Sequence, residues 1–461
     1  VFTRINKESR IMPLPTDPTD KSRPGDGHRR DPQPPANVSP IVPGRPGRPS
    51  FSLEALRERV ERQFHEETAH RTDILLDLDT PEKRLDLLRE VADYVCAVEA
   101  VTLAEGDRSV LLDKAYRNLF TFGPLDDYLR DDAVTEIAIN GPYEVHVRHG
   151  MGKLEPVPAA FDDRPHLEGI MERVLATGGA TLESTEPVSE VGVVMLGRAA
   201  RITLVAPPVS PDYSLEIRLH PRQPVLLDDL HTRFDTLPPQ AGALLQAILA
   251  GGHGLLIVGD VALGKTTLAS ALVHTLGSGS QVMVVERAAE IHLPPGAQRR
   301  AVIPPTPGDP GSDFVSQIQA ALDESPGWLV VDEIRGDESA AVWDALTRED
   351  APRYLWVFRG DPQPDRLRSA LGMVIRLTHP GVAQDAIHRA LVRHLPFVIA
   401  LRLVGGAPRL DRIAEWVPGP SGDAPPELRP ILIAQGDGWQ LTGYRPSRTL
   451  DLPGDFWDVT R

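Results

Sequence analysis

The segment Gly254-Leu255-Leu256-Ile257-Val258-Gly259-Asp260-Val261-Ala262-Leu263-Gly264-Lys265-Thr266-Thr267 restricts the possible folds more than any other part of the chain. Its apolar run predicts a buried strand, and Gly259 to Thr266 fits the pattern G-x-x-x-x-G-K-[ST]. Leu268, Leu272 and Leu276 then share one helical face, so a helix follows. A strand, a glycine-flanked loop and a helix make a phosphate cradle. Successive N–H groups from Gly259 to Thr267 wrap the anion, and the helix N-terminus adds the positive end of its dipole. Lys265 would carry charge to the outer phosphates, and Thr266 would offer its hydroxyl to Mg²⁺. A turn with an exposed lysine is the plainer alternative, and the flanking strand and helix argue against it. The chain is expected to bind a nucleotide.

Around this core the chain alternates strand and helix. Gln281 to Val285 is a strand running into Glu286, and Phe314, Ile318, Ala321 and Leu322 mark a helix capped by Ser312 or Asp313. Trp328 to Val331 is a buried strand ending in Asp332-Glu333. Leu355 to Phe358 is another strand, and Leu367 to Ile375 a helix. Such alternation predicts a mostly parallel sheet covered by helices, with phosphate loops at the carboxyl ends of its strands. Upstream, Val134 to Pro142, a return strand marked by Val145, Val147 and, beyond Gly150 and Gly152, Leu154, residues 192–196 and 201–206, and Leu215 to Leu219 read as short strands with a helix from His166 to Thr177. The predicted organisation is a Pro/Gly/Arg-rich tail over 1–50, a helical region over 51–118 and a small α/β domain over 119–223. A linker over 224–240, the P-loop domain over 241–417 and a β-rich appendage over 418–461 complete it.

Composition narrows the function. Of 461 residues 41% are apolar and 25% charged, ordinary for a globular protein, and the formal net charge is -16. That balance, without a basic-aromatic stripe, argues against a nucleic-acid partner. Cys96 is the only cysteine, which excludes an internal disulfide and cysteine-based zinc sites. Histidines do not fall at metal-ligand spacing. No run of 18 or more apolar residues occurs, so the chain is expected to be cytosolic or peripherally attached to a membrane.

Glu333 is the candidate catalytic carboxylate, and Asp332 the second acid, for the metal shell. Glu286 and Glu290, four residues apart, fit water or metal positioning, or equally a solvated turn paired with Arg287 or Arg299. Arg335 could brace Glu333 or reach a phosphate. Arg218, closing the last strand of the small domain, could contact nucleotide across a cleft or from a neighbouring subunit. Both arginines fit plain salt bridges equally well.

Taken together these motifs resemble the type II/type IV secretion ATPase superfamily, most of all its tight-adherence (Tad) pilus-assembly members. Phe122-Gly123-Pro124-Leu125, Val134 to Pro142, Ser214 to Leu219, Glu286 to Ile291 and Asp332 to Glu338 match family motifs in family order. The resemblance implies a RecA-like P-loop ATPase domain preceded by a smaller helical plus α/β N-terminal domain. It implies ATP and Mg²⁺ as ligands, Arg218 as the family's arginine, Glu333 as its glutamate, and a homo- or hetero-hexameric ring acting on inner-membrane platform proteins. The implied function is an ATP-driven motor for pilus assembly or secretion. The alternative is a nucleotide-binding ring subunit that hydrolyses slowly or not at all. The sequence departs from the family in that Asp260, Ala262 and Leu263 replace small loop residues and Arg287 replaces an acid. Both family histidines are missing from Thr347–Pro352 and Val357–Asp361, and Arg198 or Arg201 would serve for an upstream arginine.

Overall fold

A computed structural model describes residues 41–42, 51–69, 78–182, 186–303, 310–336, 338–421, 424–436 and 438–458. The tail expected over 1–50 lies outside these residues apart from a two-residue strand β1 (Ile41–Val42), which pairs antiparallel with β2 (Phe51–Ser52). Helices α1 (Leu53–Thr68), α2 (Pro81–Glu99) and α3 (Glu105–Phe120) follow. Ser52 caps α1 through Ala55 N–H, and Thr80 caps α2 ahead of Pro81. The three helices bury Leu56, Val60, Leu88, Val91 and Leu111 in a cluster of their own. Buried Arg57 donates to Asp162 at 2.7 Å and so ties this bundle to the next part of the chain.

After the short α4 (Asp126–Arg130) comes an antiparallel sheet of β3 (Val134–Asn140), β4 (Glu144–His149), β5 (Leu154–Pro156), β6 (Val188–Met195), β7 (Arg198–Val205) and β8 (Ser214–Leu219). Its spatial order is β5-β4-β3-β8-β7-β6. One face is apolar and packs against α5 (Arg164–Ala176) through Leu167, Ile170, Val174 and Leu175. Period-two alternation decides which residues face the other way. On β7, Ala200, Ile202 and Leu204 are fully buried, so Arg201 points away from that core. One row across the outward face reads Gly192, Arg201, Arg218, Glu136 in register.

The segment expected as a linker contains α6 (Leu227–Thr232), whose Leu227 and Leu230 are buried in the main core, and runs into α7 (Pro239–Ala250). The main sheet then builds in chain order from β9 (Leu255–Gly259), β10 (Val282–Glu286), β11 (Gln298–Ala301), β12 (Trp328–Ile334), β13 (Arg353–Arg359) and β14 (Phe397–Val404). These six run parallel in the order β11-β10-β12-β13-β9-β14. Between them lie α8 (Lys265–Thr275), α9 (Phe314–Asp323), α10 (Ser339–Thr347), α11 (Pro364–Thr378) and α12 (Gln384–His394). Leu255 to Val258 are fully buried because helices cover both faces of the sheet. Each such side chain contributes about 1.5–3 kcal/mol of burial. This is a RecA-like α/β P-loop fold preceded by a smaller helical and α/β part.

The β-rich appendage expected beyond residue 417 is not separate. β15 (Ala407–Val417), β16 (Glu427–Gln435) and β17 (Gly438–Leu441) continue the same sheet antiparallel from β14. The Gly405-Gly406 turn, at φ +58° and +85°, closes the hairpin of β14 and β15. Fully buried Glu415 on β15 accepts bonds from Tyr444 Oη, Ser447 and Arg448, which straps the following segment across the core.

Candidate nucleotide site

The loop between β9 and α8 turns through two left-handed residues, Ala262 at φ +60° and Gly264 at φ +74°. Glycine takes that conformation without strain, and it lets α8 begin directly at Lys265 with its N–H groups at the loop. Lys265 is buried, and its Nζ donates to the Asp260 carbonyl at 2.7 Å while lying 3.7 Å from Glu333 Oε1. Burial lowers the ammonium's pKa, and the acids Glu333, Asp332 and Asp260 oppose the shift. Asp260 turns outward: its side chain is 83% exposed, and its carboxylate accepts Val261 N–H at 2.8 Å. The repulsion that an aspartate would exert on a polyphosphate is therefore spent in solvent.

Thr266 Oγ1 donates to Asp332 Oδ1 at 3.0 Å, across the intervening strand β13. Burial, with the nearby Glu290 carboxylate, pushes the Asp332 carboxyl up to about 6, against the pull of Arg201. Next to it Glu333 sits in the left-handed region at φ +55°, where the β12–β13 pairing breaks register. That kink is unusual for a non-glycine residue and turns the Glu333 side chain toward Lys265. Arg335 Nε and Nη2 donate to Glu333 Oε2 at 2.8 and 2.5 Å. Burial raises the Glu333 carboxyl, but Arg335, Lys265 and Arg201 outweigh it and hold its pKa below the usual range.

Facing this edge is Arg201. Its Nε donates to Glu290 Oε1 at 2.5 Å, and its other nitrogens lie 3.3 Å from Glu190, 3.8 Å from Asp332 and 3.8 Å from Glu333. Glu290 also lies 3.3 Å from His220 Nε2; burial raises its pKa, but His220 and Arg201 bring it below the ordinary value. Arg335 Nη1 completes the ring by donating to Glu190 at 2.9 Å. Carboxylates of both sheets thus share guanidinium groups from both.

Two of the residues read from the sequence are used elsewhere. Glu286 is fully buried, and its Oε2 accepts Glu290 and Ile291 N–H while Oε1 accepts Arg299 Nε at 2.5 Å. Burial pushes its carboxyl up to about 8 against those donors. Its role here is to shape the loop that presents Glu290. Arg218 donates to Glu216 at 2.5 Å, with its side chain 43% exposed; its cross-strand partner Arg201 meets the acids instead. Arg198, the other upstream arginine, donates to the carbonyls of His220, Asp131 and Val134 inside the small sheet. His220 carried no motif signal and is placed by the turn after β8, while strand alternation on β6 places Glu190.

Thr266 and Asp332 offer hard oxygen donors, which suit Mg²⁺, a cation that keeps most of its shell as water and phosphate oxygen. Among the described residues no group of three or more His, Cys, Asp or Glu side chains is arranged to hold a metal by itself.

The family described as "Type II/IV secretion system protein" matches residues 122–347. An uncharacterised protein of Methanocaldococcus jannaschii is 26% identical over 249 residues, 53% of this chain and 44% of that protein. The chain therefore aligns with less than half of that relative. A putative conjugal transfer protein of Mycobacterium tuberculosis is 28% identical over 253 residues, 52% of this chain and 70% of that one. Among solved structures, the VirB11 ATPase of the Brucella suis type IV secretion system in complex with sulphate is similar at 18% identity. It covers 63% of this chain and 95% of its own, with a TM-score of 0.32.

Proposed function

Over residues 122–347 the chain belongs to the type II/IV secretion system protein family, and from that premise we propose that it is an ATP-hydrolysing motor subunit. The reading places it in a Tad-like pilus-assembly or secretion machine. It works as a homo- or hetero-hexameric ring at the inner face of the cytoplasmic membrane, acting on platform proteins embedded there. Among the described residues no helix is long and apolar enough to cross a membrane, so attachment would come through partners.

The observation that carries the reading is the convergence of Lys265, Thr266, Asp332 and Glu333 at the end of the parallel sheet. In the proposed mechanism the loop amides from Gly259 to Thr267 and Lys265 would bind the phosphates, and Thr266 and Asp332 would hold Mg²⁺. Mg²⁺, when bound, neutralises charge between the outer phosphates. Glu333 orients the attacking water and Arg335 keeps it ionised. Arg201 leaves Glu290 for the phosphate as nucleotide enters, which couples occupancy to the spacing of the two sheets. A second reading, a subunit that binds but does not hydrolyse, draws on Glu333 Oε2, which two Arg335 nitrogens already occupy.

Phosphate release by the full chain tests both. Lys265→Ala should abolish Mg²⁺-ATP binding. Glu333→Gln should keep binding and lower turnover by about 100-fold or more, the usual cost of losing a group that acts in the transition state. Wild-type turnover no faster than that of Glu333→Gln, with normal binding, would move the assignment to the second reading.

A further inference from the structure

The residue after Glu286 is an arginine that the mechanism above does not use. Arg287 follows the last residue of β10, and its guanidinium lies over the ring of Phe314, the first residue of α9, at 4.6 Å. Its Nη2 donates to Glu338 Oε1. Glu338 stands just ahead of α10 and is fully buried, and the Arg287 side chain is largely enclosed beside it. The pair is therefore held from both sides. Stacking fixes the guanidinium, and burial leaves the carboxylate dependent on its partner.

The other oxygen of Glu338 works on the turn after β12. Oε2 accepts Arg335 N–H at 2.8 Å and Gly336 N–H at 2.9 Å. Those two peptides follow the kink at Glu333, φ +55°, and Gly336 itself lies at φ +151°. A backbone so far from regular strand geometry keeps its shape only where its surroundings hold it. Arg335, set by that bond, grips Glu333 Oε2 with two nitrogens, while Glu333 Oε1 lies 3.7 Å from Lys265. One continuous set of contacts thus runs from Arg287 through Glu338 and Arg335 to Glu333.

We propose that Arg287 is a positioning residue for Glu333: it supplies the counter-charge that keeps Glu338 on the Arg335 and Gly336 peptides, and through them it holds the acid in line with the loop. The inference rests on the hydrolysis reading above and adds to it a residue that acts on turnover from outside the phosphate loop.

Steady-state phosphate release by the full chain tests it, together with calorimetric binding of Mg²⁺ and a non-hydrolysable ATP analogue. Arg287→Met keeps an apolar stem on Phe314 but strands the Glu338 charge. Its kcat should fall by about 10- to 100-fold, the scale of a small misplacement of a reacting group, with analogue affinity within about 2-fold of wild type. Glu338→Gln keeps an oxygen for the two N–H groups without the charge, so Arg287→Met/Glu338→Gln should recover most of that loss. Arg287→Lys, with the charge but no fork, should fall between wild type and Arg287→Met, and it reads the same contact if Arg287→Met does not stay folded. A double variant no faster than Arg287→Met, or an equal loss of analogue affinity, would overturn the proposal and leave Arg287 as a packing partner of Phe314. Wild-type turnover no faster than that of Glu333→Gln removes the hydrolysis reading and this inference with it. A wild type that turns over, matched by Arg287→Met, removes the inference alone.

Discussion

Arg201 Nε lies 2.5 Å from Glu290 Oε1, so a strand of the small sheet reaches the loop that follows β10 of the large one. The same guanidinium is within 3.8 Å of Asp332 and Glu333. Arg201 therefore supplies, from outside the P-loop sheet, positive charge where a metal and phosphates would sit. Removing one partner from a buried ionic cluster leaves the others uncompensated. Arg201→Ala is expected to lower the stability of the nucleotide-free protein by about 3–5 kcal/mol. Mg²⁺ should restore part of that loss, because it brings charge back to Asp332. Thermal unfolding with and without Mg²⁺ measures both effects. A loss under about 1 kcal/mol would mean the cluster is solvated and the clamp unimportant.

The acidity of Asp332 gives a pH signature. Its carboxyl is pushed from 3.8 up to about 6 in the folded protein, so the native state holds this proton more tightly than the unfolded chain. The group's contribution to stability is therefore present at low pH and is lost as pH rises from about 4 to about 6. Mg²⁺ needs the ionised form, so Mg²⁺-nucleotide uptake should release a proton near pH 6 and weaken with further acidification. Calorimetry in buffers of different ionisation enthalpy counts that proton. In Asp332→Asn it should vanish; persistence of the full release would assign the titration to another group.

Steric contact sets the distance between the two sheets. A Cβ on Gly192 would fall 2.4 Å from Ala288 Cα and 2.9 Å from the Arg287 carbonyl. Backbone on both sides leaves nothing flexible to yield, so the missing side chain is what lets β6 touch the Glu290 loop. Gly192→Ala should cost about 1–3 kcal/mol by overpacking and should cut ATP turnover by separating Arg201 from Glu290. A variant as stable and as active as wild type would show that the contact tolerates a gap. Gly169→Ala, on α5, has no heavy atom within 4 Å of the new methyl and serves as the neutral control.

How much of this could be read from the chain depended on the range of the interaction. The loop, the strand into Asp332-Glu333 and the cap at Asp313 are local patterns, and each was legible. The pairing of Thr266 with Asp332 spans 66 residues but follows from two strands of one parallel sheet. Arg201 was harder. The register of β7 against β8 sets it beside Arg218 on one face, and only the contacts of the folded chain show that it, rather than Arg218, meets the acids. What surrounds Glu286 was hidden for a related reason: its burial and the Glu290 and Ile291 N–H groups that it accepts come from a loop that folds back on the strand end. The linker was read from its prolines, whereas Leu227 and Leu230 enter the core only once the large sheet exists to receive them.

Arg218 leads to the last prediction, because its exposure distinguishes a single chain from an assembly. Within this chain it donates to Glu216, and it stands beside Arg201 on the outward face without reaching the P-loop. A residue whose bond is local contributes little to nucleotide binding by one subunit. Arg218→Ala should therefore leave nucleotide affinity within about 2-fold when the protein is dilute and monomeric. In an assembled ring the exposed guanidinium can face a neighbour's nucleotide, and an arginine supplied in trans to a phosphoryl group is worth about 1,000-fold or more in turnover. Specific activity of wild type should then rise with protein concentration, whereas that of Arg218→Ala should stay flat while sedimentation shows the same assembly. If the variant's activity climbs in parallel with wild type, the arginine acts in neither setting and its contact with Glu216 is its whole role.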